Sequence, residues 1–171
     1  MASGPTELES AFVMPFYLSL MGQNAPSRAD DVWTELVDTG RLVMPGDLAA
    51  LLRPGMWRPV VMGAWFSLAL PTEETRELLV AAMGSSAGSL TSYPLATVCS
   101  IVVGVDAVEA MSAYVSFSSD PLREDGSARF VAAAIERLGA VPAVTPSDRN
   151  RHDLQDMLDV ASRLQDAFLR S

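Results

Sequence analysis

The sequence predicts an all-α fold, a compact stack of α-hairpins behind an N-terminal helical cap, and three observations lead there. The stretch Trp57–Leu70 (WRPVVMGAWFSLAL) carries no charge after Arg58, with only Gly63 and Ser67 interrupting its apolar run. A helix apolar on every side must be surrounded by other elements. At about a dozen residues it is too short to span a bilayer, which takes ~20. Apolar helices then recur with ends at Leu70, Gly104 and Gly139, spacings of 34 and 35 residues. A period in the thirties with two helices per unit is the mark of stacked helical hairpins. No segment alternates with period two, so no sheet is expected.

The elements follow from local signals. Residues Met1–Pro5 read as a loose tail. Thr6 with Glu9 forms a capping box that opens a helix through about Met21, kinked or divided at Pro15. Gly22–Pro26 reads as a loop. Asp30 and Asp31 suit the start of a helix whose apolar spacing is set by Val32, Trp33, Leu36 and Val37, with Gly40 as its C-terminal cap. Asp47 caps a short helix, Leu48–Arg53, ended by Pro54 and Gly55. Pro59 sits in the first turn of the central helix, where its missing N–H costs nothing.

Glu73 and Glu74 open the next helix, which buries Leu78, Leu79, Ala82 and Met83 and closes at Gly84. A Gly/Ser-rich loop, Gly84–Ser92, leads to Pro94 and the apolar helix Leu95–Val103. Asp106 and Glu109 have capping-box spacing ahead of an amphipathic helix. A polar loop precedes the helix Ala128–Leu138, and Val141–Pro146 is an extended linker. The last helix, Asp148–Arg170, buries Leu154, Met157, Leu158, Ala161, Leu164 and Phe168. Asp159 with Arg163 and Asp166 with Arg170 are i,i+4 pairs on its wet side.

The chain reads as a single domain, 1–171: N-terminal helices over 6–53, then three hairpin units over 57–171. Its 171 residues can bury a core of roughly 70% of the unfolded surface. The formal charge is −9, from 21 acidic and 12 basic residues, and every basic residue is arginine, as in the proteins of GC-rich genomes. An acidic chain with no basic run is a poor nucleic-acid binder, since such binding rests on phosphate neutralisation, and no nucleic-acid partner is expected. The same charge makes it a poor candidate for anionic membrane surfaces and suits a basic partner. Cys99 is the only cysteine, so no internal disulfide forms and a cytoplasmic location is expected. The apolar segment Phe12–Met21 follows Glu7 and Glu9 where a secretory signal needs basic residues, which argues against export. One cysteine and one histidine, His152, exclude a typical zinc site and leave open only a carboxylate-rich Mg²⁺ or Ca²⁺ site; no metal and no cofactor are expected.

Ala96–Val108 (ATVCSIVVGVDAV) resembles a HEAT-type repeat, in which an apolar helix ends at glycine and an aspartate starts the next. Separately, FVMPFYLSLMGQN followed by MWRPVVMGAWFSLAL resembles a family of bacterial proteins defined as a domain of unknown function. That family has a proline-containing FYL segment ahead of a Trp-Arg and Gly-Ala-Trp helix, and the resemblance extends over Tyr93–Gly104. Downstream, Ala128–Gly139 lacks the family's Gln-Trp pattern. The resemblance implies a helical fold and no activity.

Candidate functional residues are few. Met56, Trp57, Met62, Trp65 and Phe66 form the densest group of large adaptable side chains, and most of them belong to the core. Trp57 and Arg58 stand at the helix entrance, and Trp and Arg dominate binding hot spots; Trp65 is their neighbour in the same cluster. Arg58, Tyr93, Tyr114 and Glu136 are polar groups on mostly apolar helices, able to converge on an inter-helical pocket. Gly84–Gly88 (GSSAG) matches the G-x-S-x-G nucleophile elbow, but that motif needs a preceding strand and a histidine partner. Cys99 reads as a buried small hydrophobe, and His152 as an exposed helix-start residue. Glu73, Glu74 and Glu77, like Asp153, Asp156 and Asp159, read as solvated helix faces. The leading expectation is a helical-repeat binding module for a protein partner, in a regulatory or immunity-like role. Its rival is a small enzyme or small-molecule binder with an inter-helical pocket, of the kind found in specialised metabolism. A buried, perturbed Arg58 or Glu136 would favour the rival; a filled core with an exposed Trp57 favours the binding module.

Overall fold

The structure, a computed structural model, describes residues 5–170. The fold is all-α: helices pack on helices, and no strand occurs among the described residues. Most of the expected N-terminal tail, residues 1–4, lies outside them. The Thr6–Glu9 capping box is in place, with the Glu9 carboxylate taking the Thr6 N–H at 2.9 Å and holding its own pKa below the usual value. Pro15 divides the first segment into α1 (Glu7–Phe12) and α2 (Tyr17–Leu20). The expected loop at Gly22–Pro26 is shorter than that, because Pro26 sits in the first turn of α3 (Ala25–Arg28). A 3₁₀ turn over Ala29–Val32 then runs into α4 (Trp33–Gly40).

Gly40 ends α4 in right-handed conformation and is not the left-handed cap the sequence suggested. Its role is contact: a Cβ at this position would overlap the Phe168 ring. α5 (Pro45–Leu51) starts with the Asp47 carboxylate on the Met44 N–H at 2.9 Å. α6 (Trp57–Phe66) is the innermost helix, buried from Pro59 through Phe66 and onward through a 3₁₀ turn to Leu68. Phe66 receives Phe12 and Phe16 edge-on at 5.6 and 6.1 Å, which seats the N-terminal helices on α6.

Gly63 lets α5 approach α6: a Cβ there would stand 2.9 Å from Leu52 Cγ and 3.0 Å from Leu51 Cβ. Leu51 Cβ cannot swing away without moving backbone. Gly63→Val is therefore expected to lower stability by about 2 kcal/mol through overpacking, read as a lower urea midpoint at unchanged slope. An unshifted midpoint would show that the α5–α6 contact is slack.

α7 (Glu73–Gly84) begins under a Thr72 side-chain cap on the Thr75 N–H. α8 (Ser89–Val102) starts well before Pro94, where the sequence placed the helix start. Pro94 cannot donate to the Leu90 carbonyl four residues back, and the Gly22 N–H takes that place at 3.0 Å. A neighbouring segment thus satisfies the break, and the helix runs through it. α9 (Val108–Ser118) follows a 3₁₀ turn, Gly104–Ala107; the Asp106–Glu109 capping box does not form, since Ala107 occupies the cap. α10 (Ser127–Arg137) and α11 (Asp148–Leu169) complete the chain.

α8 is the hub, packed on α6, α7, α10 and α11. α11 also reaches α3 and α4, so the last helix touches the N-terminal cap. Arg163 pairs there with Asp30 at 3.1 Å and lies over Trp33, in place of the expected Asp159 pair. In an open solenoid each unit touches only its neighbours; here the two ends of the chain meet.

Candidate functional site

A groove of about 480 Å³ lies between the α5–α6 turn and the junction of α7 with α8. One wall is Pro54–Trp57 with Val60, and the other runs from Ala82 through Ser85–Thr91. Both walls are helix ends, because Pro54 and Gly55 stop α5 while Gly88 caps α8. Met56 is 58% exposed and Leu90 39%, so the lip of the groove is apolar and open. The GSSAG segment lies in it. Ser86 Oγ is 2.7 Å from Thr91 Oγ1. The elements of a nucleophile elbow are not assembled, since a helix stands where the strand is needed and His152, in the second turn of α11, faces Asp156 at 3.6 Å.

Asp125 closes the far end of the groove. Its Oδ2 accepts the Ser89 N–H at 2.9 Å, and its Oδ1 accepts the Ser127 N–H at 3.0 Å and the Ser127 hydroxyl. Ser89 and Ser127 are the first residues of α8 and α10, so one carboxylate serves two helix N-termini. Partial burial opposes its charge, but the hydrogen bonds from Ser127 and Ser89 outweigh that and lower its pKa. Ser127 Oγ continues inward to Tyr114 Oη at 2.5 Å.

The six residues singled out by the sequence do not converge. Trp57 and Arg58 are together at the groove's mouth: Trp57 is half-buried and lines it, while Arg58 is exposed, its Cζ 4.6 Å over the Trp57 ring and 5.3 Å from the centre of Tyr17. Trp65 is wholly buried and gives its indole N–H to the Leu20 carbonyl at 2.9 Å, leaving no surface for a ligand. Tyr93 packs edge-on against Phe130 at 4.4 Å, and burial, with Asp125 adding to it, pushes its pKa up to about 12. Tyr114 is 2% exposed, and burial raises its pKa as well. Glu136 lies outside, on Arg151 at 2.7 and 3.1 Å, which lowers its pKa. No pocket gathers Arg58, Tyr93, Tyr114 and Glu136, since each faces a different neighbour.

Cys99 is core; burial pushes its thiol up to about 12. No group of acidic, histidine or cysteine side chains among the described residues is placed to hold a metal ion. The residue that sequence reasoning missed is Asp125. The Asp125-Gly126-Ser127 turn ahead of an apolar helix signals its bond to Ser127, but nothing local signals Ser89, 36 residues away. No family model, curated protein or solved structure matches the chain.

Proposed function

We propose that the chain is a binding module for another protein, and that the groove at Trp57 is where the partner docks. The observation that carries this reading is the groove's lip. Met56 and Leu90 are exposed, and Trp57 is half-buried with the Tyr17 ring against it. Methionines adapt to a partner's shape, and Trp and Arg carry much of the affinity at interfaces. Arg58 and Glu136 are exposed and not enclosed between helices, which favours this reading over an inter-helical pocket built on them. The net charge of −9 steers a partner of opposite overall charge toward the chain, in the regulatory or immunity-like role that the composition suggests. The lone buried Cys99 suits a reducing cytoplasm, and no helix among the described residues is long and apolar enough to cross a membrane. Hairpin units of HEAT type and membership of the uncharacterised bacterial family belong to the same proposal. The two segments that resemble the family pack on each other through Phe16 on Phe66 and Tyr17 on Trp57. One observation favours a second reading: about 480 Å³ falls within the range of small-molecule pockets.

The test is native mass spectrometry of the protein isolated gently from its own cells, repeated with Met56→Asp, Leu90→Asp and, as control, Val141→Asp on the exposed linker between α10 and α11, which contributes nothing to the groove. A stoichiometric protein partner is expected, its affinity falling about thirtyfold or more with either groove variant and unchanged by the control. A complex indifferent to the groove variants would refute the docking site. A retained small molecule displaced by the same variants would establish the second reading instead.

A further inference from the structure

Three arginines lie over aromatic rings: Arg58 over Trp57, Arg123 over Phe117 and Arg163 over Trp33, with Cζ 4.6, 4.3 and 4.6 Å from the ring centres. In two of them a carboxylate of the chain meets the edge of the stacked guanidinium. Asp30 reaches Arg163 at 3.1 Å, and Asp120 reaches Arg123 at 3.9 Å. Arg58 has the ring and lacks the carboxylate. Four arginines have neither an ion pair nor a side-chain hydrogen bond among the described residues, namely Arg28, Arg53, Arg58 and Arg129, and of these only Arg58 is stacked.

Stacking occupies the face of a guanidinium and leaves its in-plane N–H groups outward, in a fork that matches a carboxylate. The Trp57 and Tyr17 rings, 5.8 Å apart and edge-on, both lie against the Arg58 guanidinium and narrow the positions open to it. Arg58 then loses less side-chain entropy when a partner binds. The same Trp57 ring lines the apolar groove, so a carboxylate on Arg58 sits one ring's width from the space for apolar side chains.

We propose that Arg58 is the selectivity residue of this surface, and that it receives an aspartate or glutamate side chain of a partner segment whose neighbouring apolar side chains enter the groove. This rests on the docking site argued above and adds the partner's local chemistry. The chain's negative charge acts at long range on the partner as a whole. The contact at Arg58 is short-range and of the opposite sense. Phosphate-rich partners are disfavoured by the chain's net charge of −9.

The test is selection of a displayed library of random twelve-residue peptides on the intact protein and, in parallel, on Arg58→Gln and Arg58→Lys. Arg58 is exposed, so both variants keep the fold, which circular dichroism verifies. The wild type is expected to enrich peptides with an acidic residue at fixed spacing from two apolar ones, and Arg58→Gln to enrich the apolar pair alone. In the best peptide, Glu→Gln should weaken binding about fivefold on the wild type and not at all on Arg58→Gln. Arg58→Lys should recover only part of the difference, because an ammonium offers no fork. Apolar enrichment with no acidic preference, or a preference that survives Arg58→Gln, overturns the role of Arg58 and leaves the docking site standing. Peptides insensitive to Met56→Asp and Leu90→Asp overturn both.

Discussion

Trp65→Ala will cost about 4 kcal/mol of stability, the range for emptying a buried aromatic site. Trp65 is wholly buried in the middle of α6, among helices that cannot all collapse into the space it leaves. The loss also removes the donor from the Leu20 carbonyl, which holds α2 against α6. Domains of this size have a total stability of only 5–15 kcal/mol, so the variant stands near the threshold of folding. Trp65→Phe separates the two effects. It keeps most of the ring volume and leaves the Leu20 carbonyl unpaired, at about 1–3 kcal/mol. Urea unfolding followed by circular dichroism reads both. A Trp65→Ala loss under about 1 kcal/mol would show that α6 is not the core helix described here.

The second large effect is expected at Asp125. Asp125→Ala removes the shared acceptor of two helix N-termini, each cap being worth about 1 kcal/mol, so a loss of about 2 kcal/mol follows. The variant also strands the Ser127 hydroxyl beside buried Tyr114. The acid dependence has a definite sign. The folded-state pKa of Asp125 lies below its unfolded value. Its contribution is therefore complete above the unfolded pKa, about 3.9, and is lost as pH falls through the lower, folded one. Asp125→Asn, which cannot titrate, should be less stable than the wild type at pH 7 and should lose less on acidification. Parallel stability curves for the two proteins from pH 6 to pH 2 would eliminate the carboxylate as the clamp.

These two residues also mark how far the sequence can be read. The fold class was legible because its signals are local. The Thr6 cap, Pro15 and the run of α6 without charge after Arg58 act within a turn or two of chain. The division of labour between Trp57 and Trp65 was not. α6 is apolar on every side, so no periodicity says which of its faces reaches the surface; only the placement of α2 and α8 decides that. Tyr93, Tyr114 and Glu136 misled in a related way. A polar group on an apolar helix can be satisfied by an adjacent helix, as Tyr114 is by Ser127, or by the outside, as Glu136 is by Arg151. Spacing along one helix does not separate these outcomes. Pro94 was read as a helix start because its missing N–H usually ends a helix. The Gly22 amide that allows it inside α8 comes from a segment 72 residues earlier.

The Gly22–Leu90 hydrogen bond has a mechanical consequence for the groove. Leu90 stands on one lip and Trp57 on the other. Leu90 is tied to Gly22 through its backbone, and Trp57 is held by the ring of Tyr17. Both lips are therefore fastened to the same short piece of chain, residues 17–22, most of which is the single turn α2. That piece bridges the two lips, so any displacement of α2 is felt on both sides of the groove at once.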